Sequence, residues 1–201
     1  MLTSFNREYF QFGVELGISC YQHYRWLGKP TLDYCEAIID FLRLEKGSSL
    51  LDFGCARGFY VKAFRLLGID AWGIDSSDYA IDNCDPDVER WLNKTITGSR
   101  DFFSAGFCKD VMEHIEDPHP YLKYLKGVCT KVLIIVPLGE NGKYRLRRAH
   151  LDKTHVHCEN ENWWADLFAK YFRDVHVNHN IFGISLNEED NPQGLGYFLC
   201  K

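Results

Sequence analysis

The stretch from residue 49 to residue 75 constrains the fold of this chain more than any other part of the sequence. It reads as a short apolar strand ending at Asp52-Phe53, a turn with two glycines, Gly54 and Gly58, a helix with an apolar stripe, and a second short strand ending at Asp75. Because neighbouring strands joined through a helix pair in parallel, this order predicts an α/β fold with a parallel sheet.

The alternation of strands and helices continues through the rest of the 201 residues. The elements predicted beyond residue 75 are a helix capped by Ser77, a strand within 90–97, a strand at 102–108, a helix from Asp117, a strand at 131–136, a polar and basic loop at 139–154, a helix at 161–172, and strands at 175–177 and 196–200. Residues 1–46 read as a helical extension. In a mostly parallel sheet covered by helices on both faces, ligands bind beyond the carboxyl ends of the strands.

The turn after the first strand has the composition of a nucleoside site. Glycines let the backbone approach a ligand closely, and the helix that follows exposes free amide hydrogens at its N-terminus. Asp75 lies 23 residues after Asp52 and suits hydrogen bonds from ribose hydroxyls. The spacing of Gly54 and Gly58 does not match the G-x-G-x-x-G dinucleotide fingerprint, and Asp52 would repel a pyrophosphate. A cationic nucleoside such as S-adenosylmethionine is favoured over glycines that only form a turn.

The segment LLDFGCARGFYVKAFRLLGIDAWGIDSSDYAI resembles the first two motifs of class I S-adenosylmethionine-dependent methyltransferases, with Ala56 in place of the middle glycine. The resemblance extends to DVMEHIEDP, VLIIVP and DKTHVH, over roughly residues 48–180, and is to small-molecule enzymes of bacterial type with a DxxEH motif. It implies a three-layer, Rossmann-like sheet of seven strands, mostly parallel with an antiparallel edge. This methyltransferase domain would occupy residues 47–201, and residues 1–46 would form a helical lid.

Carried over by position, the resemblance also implies which residues hold the cofactor. They come from the turn, from the end of the second strand and from the segment after the fourth strand: Asp52, Gly54, Cys55, Ala56, Gly58, Asp75, Ser76 and Asp110. The turn would line the methionine part, Asp75 and Ser76 would hold the ribose, and Asp110 would bond the amino group. Asp101 or Phe102 is expected on the adenine side.

Asp110, Glu113 and His114 follow the fourth strand and would share one side of a first helical turn. In one role, Asp110 and Glu113 orient the cofactor, with Glu113 capping amides of the turn. In the other, the three bind a divalent metal ion that polarises a hydroxyl. Their pattern resembles the Glu-x-x-Glu-His metal sites of ubiquinone-biosynthesis O-methyltransferases and small-RNA 2′-O-methyltransferases. Because Asp110 is one methylene shorter than the glutamate of those sites, orientation is favoured and no metal is assigned.

Histidines supply the expected catalytic base. His155, in the stretch DKTHVH, and His114 are the candidates, since a histidine near neutral pKa is suited to removing a proton from a hydroxyl. Asp152 or Asp110 would fix the tautomer of His155. The neighbouring His150 is expected to be a surface or packing residue, as is His157.

Two further groups of side chains bear on the acceptor. The N-terminal aromatic residues would cover the site and contact an apolar or ring-shaped acceptor, or would only pack the extension onto the sheet: Tyr9, Phe10, Phe12, Tyr21, Tyr24 and Trp26. The basic residues of the loop after the fifth strand would bind an anionic acceptor, or would only be solvated: Lys143, Arg145, Arg147 and Arg148.

Charge and cysteine usage narrow the function. The net charge is −5 with no long run of like charges, so nucleic acid is disfavoured as a partner. No apolar stretch approaches the ~20 residues that cross a bilayer. The eight cysteines form no CxxC pair and the N-terminus lacks a signal-peptide pattern, which predicts a cytoplasmic protein.

The favoured function is methyl transfer from S-adenosylmethionine to an oxygen of a small molecule. The alternatives are a metal-dependent RNA 2′-O-methyltransferase and a non-catalytic S-adenosylmethionine-binding module.

Overall fold

The computed structural model describes residues 5–95, 102–179 and 194–201. The helices of these ranges are α1 (Arg7–Leu16), α2 (Lys29–Leu42), α3 (Phe59–Leu66), α4 (Asp78–Asp82), α5 (His119–Val128) and α6 (Glu161–Ala169). The strands are β1 (Ser49–Phe53), β2 (Asp70–Ile74), β3 (Leu92–Asn93), β4 (Ala105–Lys109), β5 (Val132–Pro137), β6 (Gly139–Glu140), β7 (Lys143–Tyr144), β8 (Val175–Asn178) and β9 (Leu195–Cys200). Short 3₁₀ turns span Glu89–Trp91, Met112–His114 and Arg147–Leu151.

Seven of these strands form one sheet in the order β3-β2-β1-β4-β5-β9-β8. Strands β1 to β5 run parallel, whereas β9 runs antiparallel to β5 and to β8. The strand order reverses between β1 and β4, so a crevice opens beyond the carboxyl ends of these two strands. The predicted α/β sheet with an antiparallel edge is therefore confirmed.

Local sequence explains where the elements of the central unit begin and end. Every residue of β5 is buried, as expected for a strand covered on both faces. Helix α3 ends just before Gly68, whose φ of 89° is the left-handed conformation that glycine adopts without strain. Ser77 caps α4 by accepting a hydrogen bond from the amide of Ala80 at 3.0 Å. These boundaries agree with the sequence predictions.

Three predicted segments differ from the structure. The extension is not one helical run, because Gly17 at φ 65° ends α1 and α2 begins only after Gly28. The predicted loop at 139–154 contains the β6–β7 hairpin, whose turn residues Asn141 and Gly142 have φ values of 51° and 74°. The third strand is limited to Leu92–Asn93, and positions 96 and 97 of its predicted range lie outside the described residues.

Two apolar clusters lie on opposite faces of the sheet and give the three layers. On one face, α2 and α3 bury Ile38 and Phe64 against Phe107 of β4. On the other face, α5 and α6 bury Leu122 and Trp164. Each of these side chains is removed from water almost completely, and burial of an aromatic or aliphatic side chain of this size contributes about 1.5–3 kcal/mol.

The N-terminal segment, residues 5–28, is anchored at the carboxyl edge of the sheet by hydrogen bonds. The hydroxyl of Ser77 donates to the Phe5 carbonyl, and the guanidinium of Arg57 donates to the Tyr24 carbonyl at 3.0 Å. The amide of Lys153 donates to the Ile18 carbonyl at 3.0 Å. No helix within the described ranges is long and apolar enough to span a membrane.

Candidate functional site

A cavity of about 800 Å³ opens along the carboxyl edge of the sheet. Residues at the ends of β1, β2 and β4 line it, together with aromatic side chains of the N-terminal segment: Phe5, Tyr9, Phe10, Tyr21 and Tyr24. These rings contact one another at centroid distances of 5.0–6.1 Å. The volume lies within the roughly 300–1,000 Å³ of typical small-molecule pockets.

The turn between β1 and α3 requires glycine at two positions. Gly54 has a φ of 82°, and a Cβ there would lie 2.2 Å from a methyl carbon of Val111. Gly58 has a φ of 77°, and its Cβ would lie 2.7 Å from Leu92. Ala56, at φ 47°, adopts the left-handed conformation that a glycine would adopt without strain. Gly54 and Ala56 line the cavity, whereas Gly58 is not among the lining residues and acts on the shape of the turn.

The two acids of the predicted nucleoside site lie at neighbouring strand ends. Asp75 accepts hydrogen bonds from the amide of Ala56 and from the amide of Ser77, each at 2.7 Å, which joins the turn to the end of β2. Asp52 is 2% exposed, and its Oδ2 has no hydrogen-bond partner among the described residues. Burial, aided by the charge of Asp75, raises the pKa of Asp52 well above its usual range. A cationic ligand group would supply the partner that this carboxyl lacks.

The other predicted cofactor residues are placed as follows. Cys55 is buried against Gly73, where a Cβ would come within 2.6 Å of its sulfur, and Ser76 is exposed at the cavity rim. Phe102 is 55% exposed and does not line the cavity, and Asp101 lies outside the described ranges.

Asp110 does not belong to the cluster that Glu113 and His114 form, although the sequence predicts that it does. Its φ of 54° separates it from the 3₁₀ turn at Met112–His114, and its carboxylate forms an ion pair with Lys109. Burial alone would raise the pKa of Asp110, but the charges of Lys109 and Arg148 outweigh it and hold the pKa below its usual value. The prediction that Asp110, Glu113 and His114 share one side of a helical turn is therefore wrong.

Glu113, His114 and His155 form the cluster that the structure does bring together. One carboxyl oxygen and one ring nitrogen from each histidine lie within 4.8 Å of one another. His155 Nε2 is 4.0 Å from Glu113 Oε1, and the two imidazole centroids are 4.6 Å apart. The carboxyl of Glu113 is fully buried, and neither of its oxygens has a partner in the described part of the chain. The prediction that it caps amides of the turn is therefore wrong.

Burial favours the uncharged form of each member of this cluster. Burial, followed by the charge of Asp110, raises the pKa of Glu113 well above its usual range, which favours the uncharged form of the carboxyl. Burial and the neighbouring His155 lower the pKa of His114 to about 4. Burial also lowers the pKa of His155. Both imidazoles have lowered pKa values and are therefore neutral near pH 7, so each can accept a proton.

A hydrogen-bonded chain leads from this cluster to the N-terminal segment. Asp152 accepts the hydroxyl of Tyr9 at 2.7 Å on one oxygen, and the hydroxyl of Thr154 at 2.5 Å on the other. Thr154 Oγ1 also lies 2.8 Å from His114 Nδ1. Asp152 is thus connected to His114, and not directly to His155, whose Nδ1 has no partner among the described residues. No hydrogen bond among the described residues joins His155 to Asp152 or to Asp110. The prediction that one of these acids fixes the tautomer of His155 is therefore not supported by a contact.

The remaining sequence candidates lie at the edge of the site or outside it. His150 is exposed and contacts the Tyr144 carbonyl, and His157 contacts the Ile115 carbonyl beside Trp163. Neither histidine lines the cavity, in agreement with a surface or packing role. Of the four basic residues between 143 and 148, Arg148 alone lines the described cavity.

Sequence reasoning missed three contributors to the site: Lys109, Tyr9 as a hydrogen-bond donor, and Thr154. Lys109 is the last residue of β4, a position that the rule about strand ends already marked as close to the ligand. Thr154 lies within the DKTHVH motif. The bond between Tyr9 and Asp152 joins residues 143 positions apart, and no local pattern could have indicated it.

Comparison with known proteins identifies relatives in sequence and in structure. A sequence model of a methyltransferase domain matches residues 21–180. The mitochondrial ubiquinone biosynthesis O-methyltransferase of Schizosaccharomyces pombe is 24% identical over 107 residues, which are 48% of this chain and 39% of that protein. The chain thus spans about two fifths of the length of this curated relative.

Solved structures share the fold at low identity. The plantazolicin methyltransferase BpumL, solved with a triazolic desmethylPZN analog and SAH, superposes with a TM-score of 0.62 at 15% identity, over 87% of this chain and 86% of its own. An S-adenosylmethionine-dependent methyltransferase from Archaeoglobus fulgidus superposes with a TM-score of 0.58 at 18% identity, over 84% of this chain and 93% of its own.

Proposed function

The chain belongs to the family of methyltransferase domains, and from that premise we propose that it transfers a methyl group from S-adenosylmethionine to a hydroxyl oxygen of a small molecule. The observation that carries the proposal is the cluster of Glu113, His114 and His155, which lines the same cavity as the glycine turn and Asp52. A neutral imidazole in such a cavity is suited to accept the proton of a hydroxyl.

The residues around the glycine turn fit the methyl donor. S-adenosylmethionine, when bound, supplies an electrophilic methyl group on a positively charged sulfur. Its cationic groups would give the buried carboxyl of Asp52 the partner that it lacks, and Asp75 lies where a ribose would follow. The turn from Gly54 to Ala56 would lie along the donor, because all three of its residues line the cavity.

His155 is the proposed base, with His114 beside it. Burial keeps both imidazoles neutral at pH 7, so each has a free lone pair on one ring nitrogen. The N-terminal segment would act as the lid of the site: its aromatic side chains line the cavity and exclude water around the reacting groups. The chain's main contribution to rate would be to hold the hydroxyl close to the methyl carbon and in line with it.

The acceptor is proposed to be small and to contain a ring. The cavity must hold both the donor and the acceptor within about 800 Å³, which excludes a long polymer from its interior. Aromatic rings on the side of the N-terminal segment would stack against a planar group. Arg148 lines the same cavity, which supports an acceptor with an anionic substituent.

The experiment that tests the proposal follows methyl transfer to a panel of small hydroxyl compounds, in wild type and in His155→Ala. We expect the variant to lose about 100-fold or more in kcat, the usual scale for loss of a general base, while its affinity for S-adenosylhomocysteine changes by less than about 3-fold. The matched control, His150→Ala, lies outside the cavity and should retain full activity. Equal turnover of His155→Ala and wild type would remove this histidine from the mechanism.

A further inference from the structure

The chain of hydrogen bonds from Tyr9 to His114 determines which nitrogen of His114 carries the proton. Thr154 has one hydroxyl hydrogen, and its oxygen lies 2.5 Å from a carboxylate oxygen of Asp152. Two oxygens this close need a proton between them, so the hydrogen of Thr154 is directed at Asp152. The oxygen of Thr154 is then available only as an acceptor. His114 Nδ1, 2.8 Å away, must therefore carry the hydrogen, and the lone pair lies on His114 Nε2.

Tyr9 holds the other end of this chain. Its hydroxyl donates to the second carboxylate oxygen of Asp152 at 2.7 Å, and both residues are less than 10% exposed. The amide of Thr154 donates to Asp152 as well, at 3.0 Å. Asp152 thus has three donors from two parts of the chain, which fixes the position of its carboxylate and keeps Thr154 in the rotamer that faces His114.

The N-terminal segment also contacts the His114 ring directly. Phe5 packs edge-on against it at a centroid distance of 5.3 Å, and Phe5 in turn packs against Tyr9 at 5.0 Å. His114 therefore has a neighbour from the N-terminal segment on its ring and a hydrogen-bonded connection to the same segment through Nδ1. Displacement of α1 would remove both contacts at once.

We propose that Tyr9 is a positioning residue through which the docked N-terminal helix sets the tautomer of His114 by way of Asp152 and Thr154. The helix is then a working part of the active site as well as a cover: with it in place, His114 presents the Nε2 lone pair, and with it displaced, the imidazole is free to exchange tautomers. This proposal deepens the proposed function and rests on it for its effect on rate. The tautomer itself is independent of any acceptor.

The test uses the full chain labelled with ¹⁵N-histidine and saturated with S-adenosylhomocysteine. Two-bond ¹H–¹⁵N correlation spectra distinguish the two neutral tautomers, and the signals of His114 are those missing from the spectrum of His114→Gln. We expect wild type to show the form protonated at Nδ1. Tyr9→Phe and Thr154→Val should show a mixture of forms or the form protonated at Nε2, whereas Thr154→Ser should restore the wild-type pattern because it keeps the hydroxyl.

The same variants separate positioning from mere support of the fold. Tyr9→Phe should lower kcat about 10-fold with S-adenosylhomocysteine affinity within about 3-fold of wild type. The control Tyr171→Phe loses a hydroxyl that contacts His119 away from the cavity, and should change neither the spectrum nor kcat. An unchanged His114 tautomer in Tyr9→Phe, or in Thr154→Val, would overturn the proposal, even in an active enzyme. Absence of methyl transfer in wild type with the expected tautomer would instead count against the proposed function.

Discussion

Asp52 and Glu113 are carboxyl groups that the fold buries without a hydrogen-bond partner for at least one oxygen in the described part of the chain. Such burial costs stability, less for the protonated form than for the charged one, until a ligand supplies the missing partner. Both groups line the cavity, and burial raises the pKa of each well above its usual range. These two buried carboxyls are thus a cost to folding at positions that line the proposed active site.

The lowered pKa of His114 makes a prediction about stability. Its folded pKa of about 4 lies below that of the unfolded chain, so between these values the unfolded state binds the proton and the folded state does not. Stability is therefore lost as the pH falls below about 6.5. From about pH 7.5 to about pH 5, the wild type should lose about 1–2 kcal/mol more unfolding free energy than His114→Gln, as measured in urea. His150→Gln, at an exposed position, should behave like wild type; equal losses in all three proteins would contradict the prediction.

The sequence predicts which strand ends carry the site residues, but it does not predict which of these side chains contact each other. Asp152 and His155 are close in sequence, which predicts that Asp152 orients His155. In the structure Thr154 lies between Asp152 and His114 instead. The left-handed backbone at Asp110 and its ion pair with Lys109 were likewise not predicted from the sequence.

The elements that hold the site depend on a few backbone positions. The β1–α3 turn could be recognised from sequence because Gly54 and Gly58 must adopt positive φ in close contact with other side chains. The β6–β7 hairpin also has a local signal, since Asn-Gly is the preferred pair for a two-residue turn with both φ values positive. The break in the N-terminal extension also has a local signal. Gly17 ends α1, and Gly28 stands before the first turn of α2, which contains Pro30. How that extension docks on the sheet is a tertiary property and had to come from the structure.

Gly54→Ala tests the turn as an element. A Cβ there would meet Val111 at 2.2 Å, and alanine at a φ of 82° is strained as well. We expect a loss of about 2 kcal/mol or more in unfolding free energy, together with loss of S-adenosylhomocysteine binding. The matched control is Gly127→Ala in α5, where a Cβ would meet nothing within 4 Å. That substitution should stabilise the protein by about 0.5–1 kcal/mol in the same denaturation assay and leave binding unchanged. Tolerance of alanine at Gly54 would contradict this account of the turn.

At the scale of the whole molecule, one sheet edge and the N-terminal segment enclose the proposed reaction site, and the proposed histidine base predicts independence from divalent metal. Asp110 is paired with Lys109, and burial disfavours the charged form of Glu113. The rate of methyl transfer should therefore stay within about 2-fold of its initial value after dialysis against a chelator. Addition of magnesium or manganese should not increase that rate. Loss of activity on chelation, restored by either ion, would favour the metal-dependent alternative.

The central claim is that the buried acid beside the glycine turn receives the cationic part of S-adenosylmethionine. Titration calorimetry of the wild type and of Asp52→Asn with S-adenosylmethionine measures it directly. We expect one molecule to bind per chain, and the variant to bind about 10–100-fold more weakly, because a charge-assisted hydrogen bond contributes about 1.5–3 kcal/mol. Failure of the wild type to bind at millimolar concentration, or equal affinity of the two proteins, would contradict the account.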